Sequence, residues 1–208
     1  MFPKCGPRFI GALAYAADKH HPQVRKSDFG ASPDYSRDIP YISHLLAVAA
    51  IVLEAGGNED EAIAGLLHDA IEDQGVEREE IEARFGARVA HIVDACSEHW
   101  DRTAKKPDWQ VRKTAHLARL REEGPSVLLV TAADKIHNGE SILHDIAVQG
   151  PAVWSRFNST PDRILWYYTE VSHVVSEGLG VETYAAIRLA NVVSELRLRT
   201  DALLSQTS

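Results

Sequence analysis

The chain has 208 residues, 45% of them apolar and 25% charged, with a formal net charge of −8 at pH 7. That length buries a substantial core without staples and fits one domain, and the acidic balance argues against broad non-specific nucleic-acid binding. Cys5 and Cys96 give no disulfide framework and suit a reducing cytoplasm; no apolar run nears the ~20 residues of a membrane span, and no signal-peptide core follows Lys4 and Arg8.

A first helix is expected over 8–20, with Phe9, Leu13, Ala16 and Ala17 on one side. An irregular stretch with Gly30 and Pro33 follows, to about residue 39. Pro40 opens a second helix that runs to about residue 54, with His44 in its first turns and Ile42, Leu45, Leu46, Val48, Ala49 and Val52 as its apolar stripe. Residues 59–73 read as one amphipathic helix capped by Asn58, with Glu59, Asp60 and Glu61 in the first turn. Its apolar arc is Ala62, Ile63, Leu66, Leu67, Ala70 and Ile71; His68, Asp69 and Glu72 lie opposite, with Gly65 beside them. Taken alone, that polar face is either solvated, the simpler reading of an arbitrary helix, or turned inward onto a metal ion. Further helices are expected over 78–85, 87–98 and 108–123. Val127 to Val130 alone would fit a buried strand, but the alanines and the Asp134 to Asn138 run after it favour a buried helix. Gly150 and Pro151 break the chain before two closing helices over 160–177 and 181–204. No repeat or composition shift marks a second domain. The expectation is one all-α domain over 1–208 with about nine or ten helices. Its motif-bearing core covers 9–145, and helices within 146–208 pack on it.

Asp134 ends a run, 125–133, that carries no charge, so its carboxylate is expected to be partly buried. A buried carboxylate costs several kcal/mol unless it is paired or binds a cation. An exposed helix end, or pairing with an arginine, would also account for it. His44 by itself is more often a satisfied core histidine than a ligand. Together, His44, His68, Asp69 and Asp134 give the order His…His-Asp…Asp across three buried helices. Two imidazoles and two carboxylates suit a borderline-to-hard divalent ion such as Mn²⁺, Fe²⁺ or Zn²⁺. Such an ion keeps positions open for water and substrate, lowers the pKa of water and polarises a phosphoryl oxygen.

Six pieces now stand in one order: Ala16-Ala17 through His20; Arg25-Lys26-Ser27; Pro40-Tyr41-Ile42-Ser43-His44; Leu66 through Asp73; Phe85-Gly86; and Ala133 through Asn138. This pattern resembles the HD phosphohydrolase superfamily. Within it, the chain is most similar to the hydrolase domain of the RelA/SpoT alarmone enzymes and to their small stand-alone relatives, including the metazoan SpoT homologues. The resemblance implies an HD-domain helical bundle with one Mn²⁺, Fe²⁺ or Zn²⁺ being alternatives, held by His44, His68, Asp69 and Asp134. It implies hydrolysis of the 3′-pyrophosphate of guanosine tetra- or pentaphosphate, with Glu72 and Asp73 orienting and deprotonating the attacking water. Arg25 would lie against the guanine with Lys26 and Ser27 nearby, and Asn138 would contact the nucleoside. A planar guanidinium stacks on a base, and cations suit a polyanionic substrate. In the helical projection Glu72 shares the metal face while Asp73 falls nearer the apolar edge, which favours Glu72 as the base.

Two departures bear on which nucleotide is accepted. Ser27 to Ile39 is longer than the family's usual link, and Thr131-Ala132-Ala133-Asp134 stands where the family often shows Lys-Leu-Ala-Asp, so a cation is missing. The alternative readings are a phosphohydrolase of another nucleotide or dinucleotide, and a non-catalytic nucleotide sensor; Glu72 and Asp73 argue against the sensor, which needs no base. With no room for synthetase or regulatory domains, a stand-alone hydrolase acting on a small-molecule nucleotide is expected, with no nucleic-acid or membrane partner. His91, His99, His116, His144 and His173 are expected at the surface or in the core, while His20, His21 and His137 lie near the motifs. The basic stripe Arg112, Lys113, Arg119 and Arg121 reads as a solvated helix face. Trp100, Trp109, Trp154 and Trp166 read as core or interface anchors, the latter compatible with a homodimer.

Overall fold

The computed structural model describes residues 5–25, 39–100 and 105–205. They form ten α-helices and one 3-10 segment, and the one extended pairing among them is an isolated bridge between Val24 and Pro40. The all-α expectation holds. None of these helices is long and apolar enough to cross a membrane. The chain packs as two units, Met1–Ser97 and Glu98–Ser208.

The first unit holds α1 (Pro7–Lys19), α2 (Ile42–Glu54), α3 (Glu59–Leu67), α4 (Ala70–Gln74), α5 (Arg78–Phe85) and α6 (Ala87–Cys96). At its centre is α3, packed against α1, α2 and α6. Every residue from Glu61 to Leu67 is buried, so this short helix has no solvated face. Its start is fixed as the sequence suggests: Asn58 Oδ1 accepts from Glu61 N–H at 3.2 Å while the Glu61 carboxylate accepts from Asn58 N–H at 2.8 Å. Such a reciprocal cap satisfies two orphan donors. Gly65 lets two helices approach: a Cβ there would stand 3.2 Å from the Ala49 Cα of α2.

The expected single helix over 59–73 is broken. His68 and Asp69 form a turn between α3 and α4, with Asp69 at φ −99° and ψ 0°. The residues on either side are good helix formers, so the break is set by what the two side chains reach.

The second unit holds α7 (Trp109–Leu120), α8 (Pro125–Gln149), a 3-10 segment (Gly150–Arg156), α9 (Pro161–Leu179) and α10 (Tyr184–Ser205). The 25 residues of α8 pack on α9 and α10. Val127 to Val130 are helical, as the flanking alanines suggested. A Cβ at Gly139 would collide with Val192 Cγ1 and stand 3.2 Å from Tyr168 Cε1. Val192 is β-branched and stiff in a helix, so it cannot turn away cheaply. Gly139→Ala is therefore expected to lose about 1–3 kcal/mol to overpacking, more than the ~1 kcal/mol of helix propensity it gains. Thermal unfolding should show a Tm lower by several degrees.

Part of the expected basic stripe is not solvated, although Arg121 is exposed and pairs with Glu170 at 3.1 Å. Arg112 and Lys113 are half-buried and clamp the Glu98 carboxylate, Lys113 Nζ at 2.5 Å. Burial would raise the Glu98 carboxyl, but Lys113 and Arg112 outweigh it and hold it below the ordinary range. Trp154 is buried, and Trp109 meets Tyr167 edge-on at 6.0 Å. His116 is the core histidine of the expected set; His91, His99, His144 and His173 are exposed. Burial first, then the cations of Lys135, Lys113 and Arg119, hold His116 at about 3 against an ordinary 6.5, with Glu98 opposing. Its folded pKa is depressed, so the unfolded chain binds the extra proton between those values and stability falls as pH drops below 6.5. From pH 7 to pH 5 this one group should withdraw about 2 kcal/mol, above the range where ordinary carboxylates titrate. Denaturant midpoints at the two pH values should converge in His116→Gln.

Candidate metal centre

In the first unit α2 and the α3–α4 turn bring three of the expected ligands together. His44, 1% exposed, comes from the first turn of α2, and His68, 3% exposed, from the end of α3. Their rings meet edge-on at 5.1 Å. The Asp69 carboxylate stands between them, Oδ2 lying 3.0 Å from His68 Nε2 and 3.6 Å from His44 Nε2. Tyr41, three residues before His44, donates its hydroxyl to the same oxygen at 2.6 Å. These contacts explain the helix break: the Asp69 side chain is drawn to Tyr41 and the imidazoles.

His68 Nδ1 lies 2.9 Å from the Gly65 carbonyl, one of the last-turn carbonyls that a helix leaves without an amide partner. A carbonyl can only accept, so Nδ1 carries a proton, which leaves Nε2, the nitrogen facing Asp69, as the one that would bind a metal ion. That tautomer is the one a metal-ligating histidine needs, with its second nitrogen fixed by a backbone acceptor. Two buried imidazoles and a carboxylate converging on one spot fit a borderline-to-hard divalent ion. Gly65 serves the α2–α3 approach and supplies the carbonyl that holds the His68 ring.

Glu72 and Asp73 are the third and fourth residues of α4. The helical projection set Asp73 towards an apolar edge because it assumed a continuous helix. In the fold Asp73 lies in polar surroundings: Gln23 Nε2 donates to its Oδ2 at 2.7 Å. Part of the side chain is open to solvent, yet desolvation, and next the Asp69 carboxylate, push its carboxyl above the ordinary range. Glu72 is half-buried.

Arg25 is fixed by its backbone. Its N–H donates to the Ile39 carbonyl at 2.9 Å, and Tyr41 N–H donates to the Gln23 carbonyl at 2.9 Å. The two ends of the intervening stretch are thus paired just before α2. Lys26 and Ser27, and the insertion up to residue 38, lie outside the described residues.

The remaining expected residues stand on α8 in the second unit. Asp134 is buried, as its uncharged approach suggested, and is held by Lys135 Nζ at 2.6 Å and by the Asn138 amide, which donates to Oδ1. Burial opposes a charged Lys135, but Asp134 and then Tyr167 and Tyr168 prevail and raise its pKa.

Sequence reasoning missed the polar layer behind the cluster: Tyr41, Gln23 and Gln74. The signal was in the motif itself, since Tyr41 precedes His44 by three residues, a spacing that shares one face of a helical turn. His20 belongs to this layer, while His21 is exposed.

An HD domain family model matches residues 12–162. The guanosine-3′,5′-bis(diphosphate) 3′-pyrophosphohydrolase MESH1 of Xenopus tropicalis is 35% identical over 168 residues, 80% of this chain and 82% of that protein. The Homo sapiens MESH1 is 31% identical over 170 residues, 81% and 83% of the two chains. A solved structure of a metazoan ortholog of SpoT that hydrolyzes ppGpp superimposes with a TM-score of 0.66 at 27% identity, covering 91% of this chain and 96% of that one.

Proposed function

The chain belongs to the HD domain family, and from that premise we propose that it is a metal-dependent guanosine-3′,5′-bis(diphosphate) 3′-pyrophosphohydrolase. The observation that carries this reading is the similarity to the Xenopus enzyme over four-fifths of both chains, in a chain whose His-Asp pair closes into a buried ligand cluster.

In this proposal His44, His68, Asp69 and Asp134 hold a divalent ion, Mn²⁺ by the family resemblance. When bound, such an ion supplies Lewis-acid chemistry, acidifying a water and polarising a phosphoryl oxygen. Glu72 and Asp73 orient the attacking water and accept its proton. The water oxygen bonds to the phosphorus carried by O3′, the O3′–P bond breaks, and the 3′ oxygen takes a proton. The products are pyrophosphate and guanosine 5′-diphosphate. Arg25, with Lys26 and Ser27, holds the guanine end, and Asn138 the nucleoside.

Thr131 favours a second reading. It is buried on α8 at the position where the family resemblance implies a lysine, so residue 131 itself supplies no cation. The same chemistry would then serve another nucleotide or dinucleotide. Incubating the Mn²⁺-loaded protein with guanosine tetraphosphate and a nucleotide panel separates the two. Pyrophosphate released from guanosine tetraphosphate alone is the expected result. Orthophosphate from monophosphates would move the assignment to the second reading, and no release from any nucleotide would contradict both.

A further inference from the structure

Gln23 joins the hydrolytic apparatus to the segment that enters α2. Its Nε2 donates to Asp73 Oδ2 at 2.7 Å. Its Oε1 accepts from Gln74 Nε2 at 2.5 Å and lies 2.6 Å from His20 Nδ1. Asp73 Oδ2, a carboxylate oxygen, can only accept, so the atom that meets it is the NH₂, and Oε1 is turned to Gln74 Nε2 and His20 Nδ1, which themselves lie 3.3 Å apart. The amide therefore has one sense, with its donor towards Asp73. His20 is itself fixed, buried and stacked on Tyr41 with centroids 5.2 Å apart and planes 12° apart. Tyr41 in turn donates to Asp69. One continuous set of contacts thus ties the proposed base Asp73 to the proposed ligand Asp69.

We propose that Gln23 is a positioning residue: by holding Oδ2 it fixes the rotamer in which the Asp73 carboxylate takes the proton of the attacking water. The inference rests on the reading of Asp73 as one of the two carboxylates that handle that water. The choice of an amide is chemically apt. A lysine or arginine at this place would stabilise the carboxylate and weaken it as a base, whereas a neutral N–H restricts the rotamer at a smaller loss of basicity. Gln74 is the outer member, holding Gln23 in its one productive sense.

The test is a double-mutant cycle of Gln23→Leu and Asp73→Asn, with kcat, KM and bound Mn²⁺ measured on guanosine tetraphosphate, in single turnover where rates are low. Gln23→Leu is expected to lower kcat about 10- to 100-fold, the range typical of residues that support a reactive group, with KM within about twofold and metal content unchanged. In the Asp73→Asn background the same change should cost almost nothing further, because the group it positions is gone. Gln74→Met, at a different point of the network, should show a smaller loss of the same kind and stands in should Gln23→Leu not fold. A wild-type kcat in Gln23→Leu, a loss confined to KM or to metal content, or a loss that adds fully to that of Asp73→Asn would overturn the proposal. Full activity in Asp73→Asn alone would instead overturn the underlying reading of Asp73.

Discussion

Asp69→Ala should lower kcat/KM for guanosine tetraphosphate at least about 10³-fold and empty the protein of its divalent ion. The Asp69 carboxylate is the anion shared by His68 Nε2 at 3.0 Å and His44 Nε2 at 3.6 Å, and it accepts the Tyr41 hydroxyl. Two neutral imidazoles without that charge form a weaker site for a hard cation. Losing the ion forfeits several kcal/mol of transition-state stabilisation, and each 1.36 kcal/mol is tenfold in rate. Asp69→Asn keeps the side chain's size and an acceptor for Tyr41 but not its charge. It should therefore fold with near wild-type Tm and still lack activity. Metal analysis beside kinetics separates loss of the ion from loss of the fold; full occupancy in Asp69→Ala would remove this residue from the ligand set.

Glu72→Gln and Asp73→Asn should each lower kcat by about 10²- to 10⁴-fold while the ion stays bound, the usual span for removing a positioned general base. Both sit on α4, three and four residues after the proposed metal ligand Asp69. The Asp73 carboxyl is raised chiefly by desolvation and next by Asp69, which makes it a stronger base than an ordinary aspartate. If the two carboxylates act on one water, the double variant should be scarcely slower than the worse single one, because groups that work as a unit are not additive. Inductively coupled plasma analysis should return the wild-type ion content in all three variants. An additive loss would separate the two into independent roles.

Much of the fold could be read from local chemistry. The reciprocal cap of Asn58 and Glu61, and the helix from Pro125 to a stop at Gly150, depend on residues close in sequence. The convergence of His44, His68 and Asp69 was legible because His68 and Asp69 are adjacent and His44 lies in a recognisable motif. The turn at His68 and Asp69 was not, because its determinant is Tyr41, 28 residues away. Gln23 meets Asp73 across 50 residues, a pairing that no periodicity reveals. The stripe on α7 misled for a related reason: spacing shows that Arg112 and Lys113 share a face, but only the fold shows that Glu98 lies beneath it. Gly65 likewise carries no side chain to declare that its neighbour is the backbone of α2.

The central claim is that this chain directs water to the phosphorus bonded to O3′ of guanosine tetraphosphate. Turnover in ¹⁸O-enriched water, with the products resolved by ³¹P NMR and mass spectrometry, tests it most directly. The account predicts pyrophosphate carrying one ¹⁸O, unlabelled guanosine 5′-diphosphate, and no turnover after the divalent ion is chelated. Labelled orthophosphate, label in the nucleoside product, or undiminished turnover in the chelated protein would contradict it.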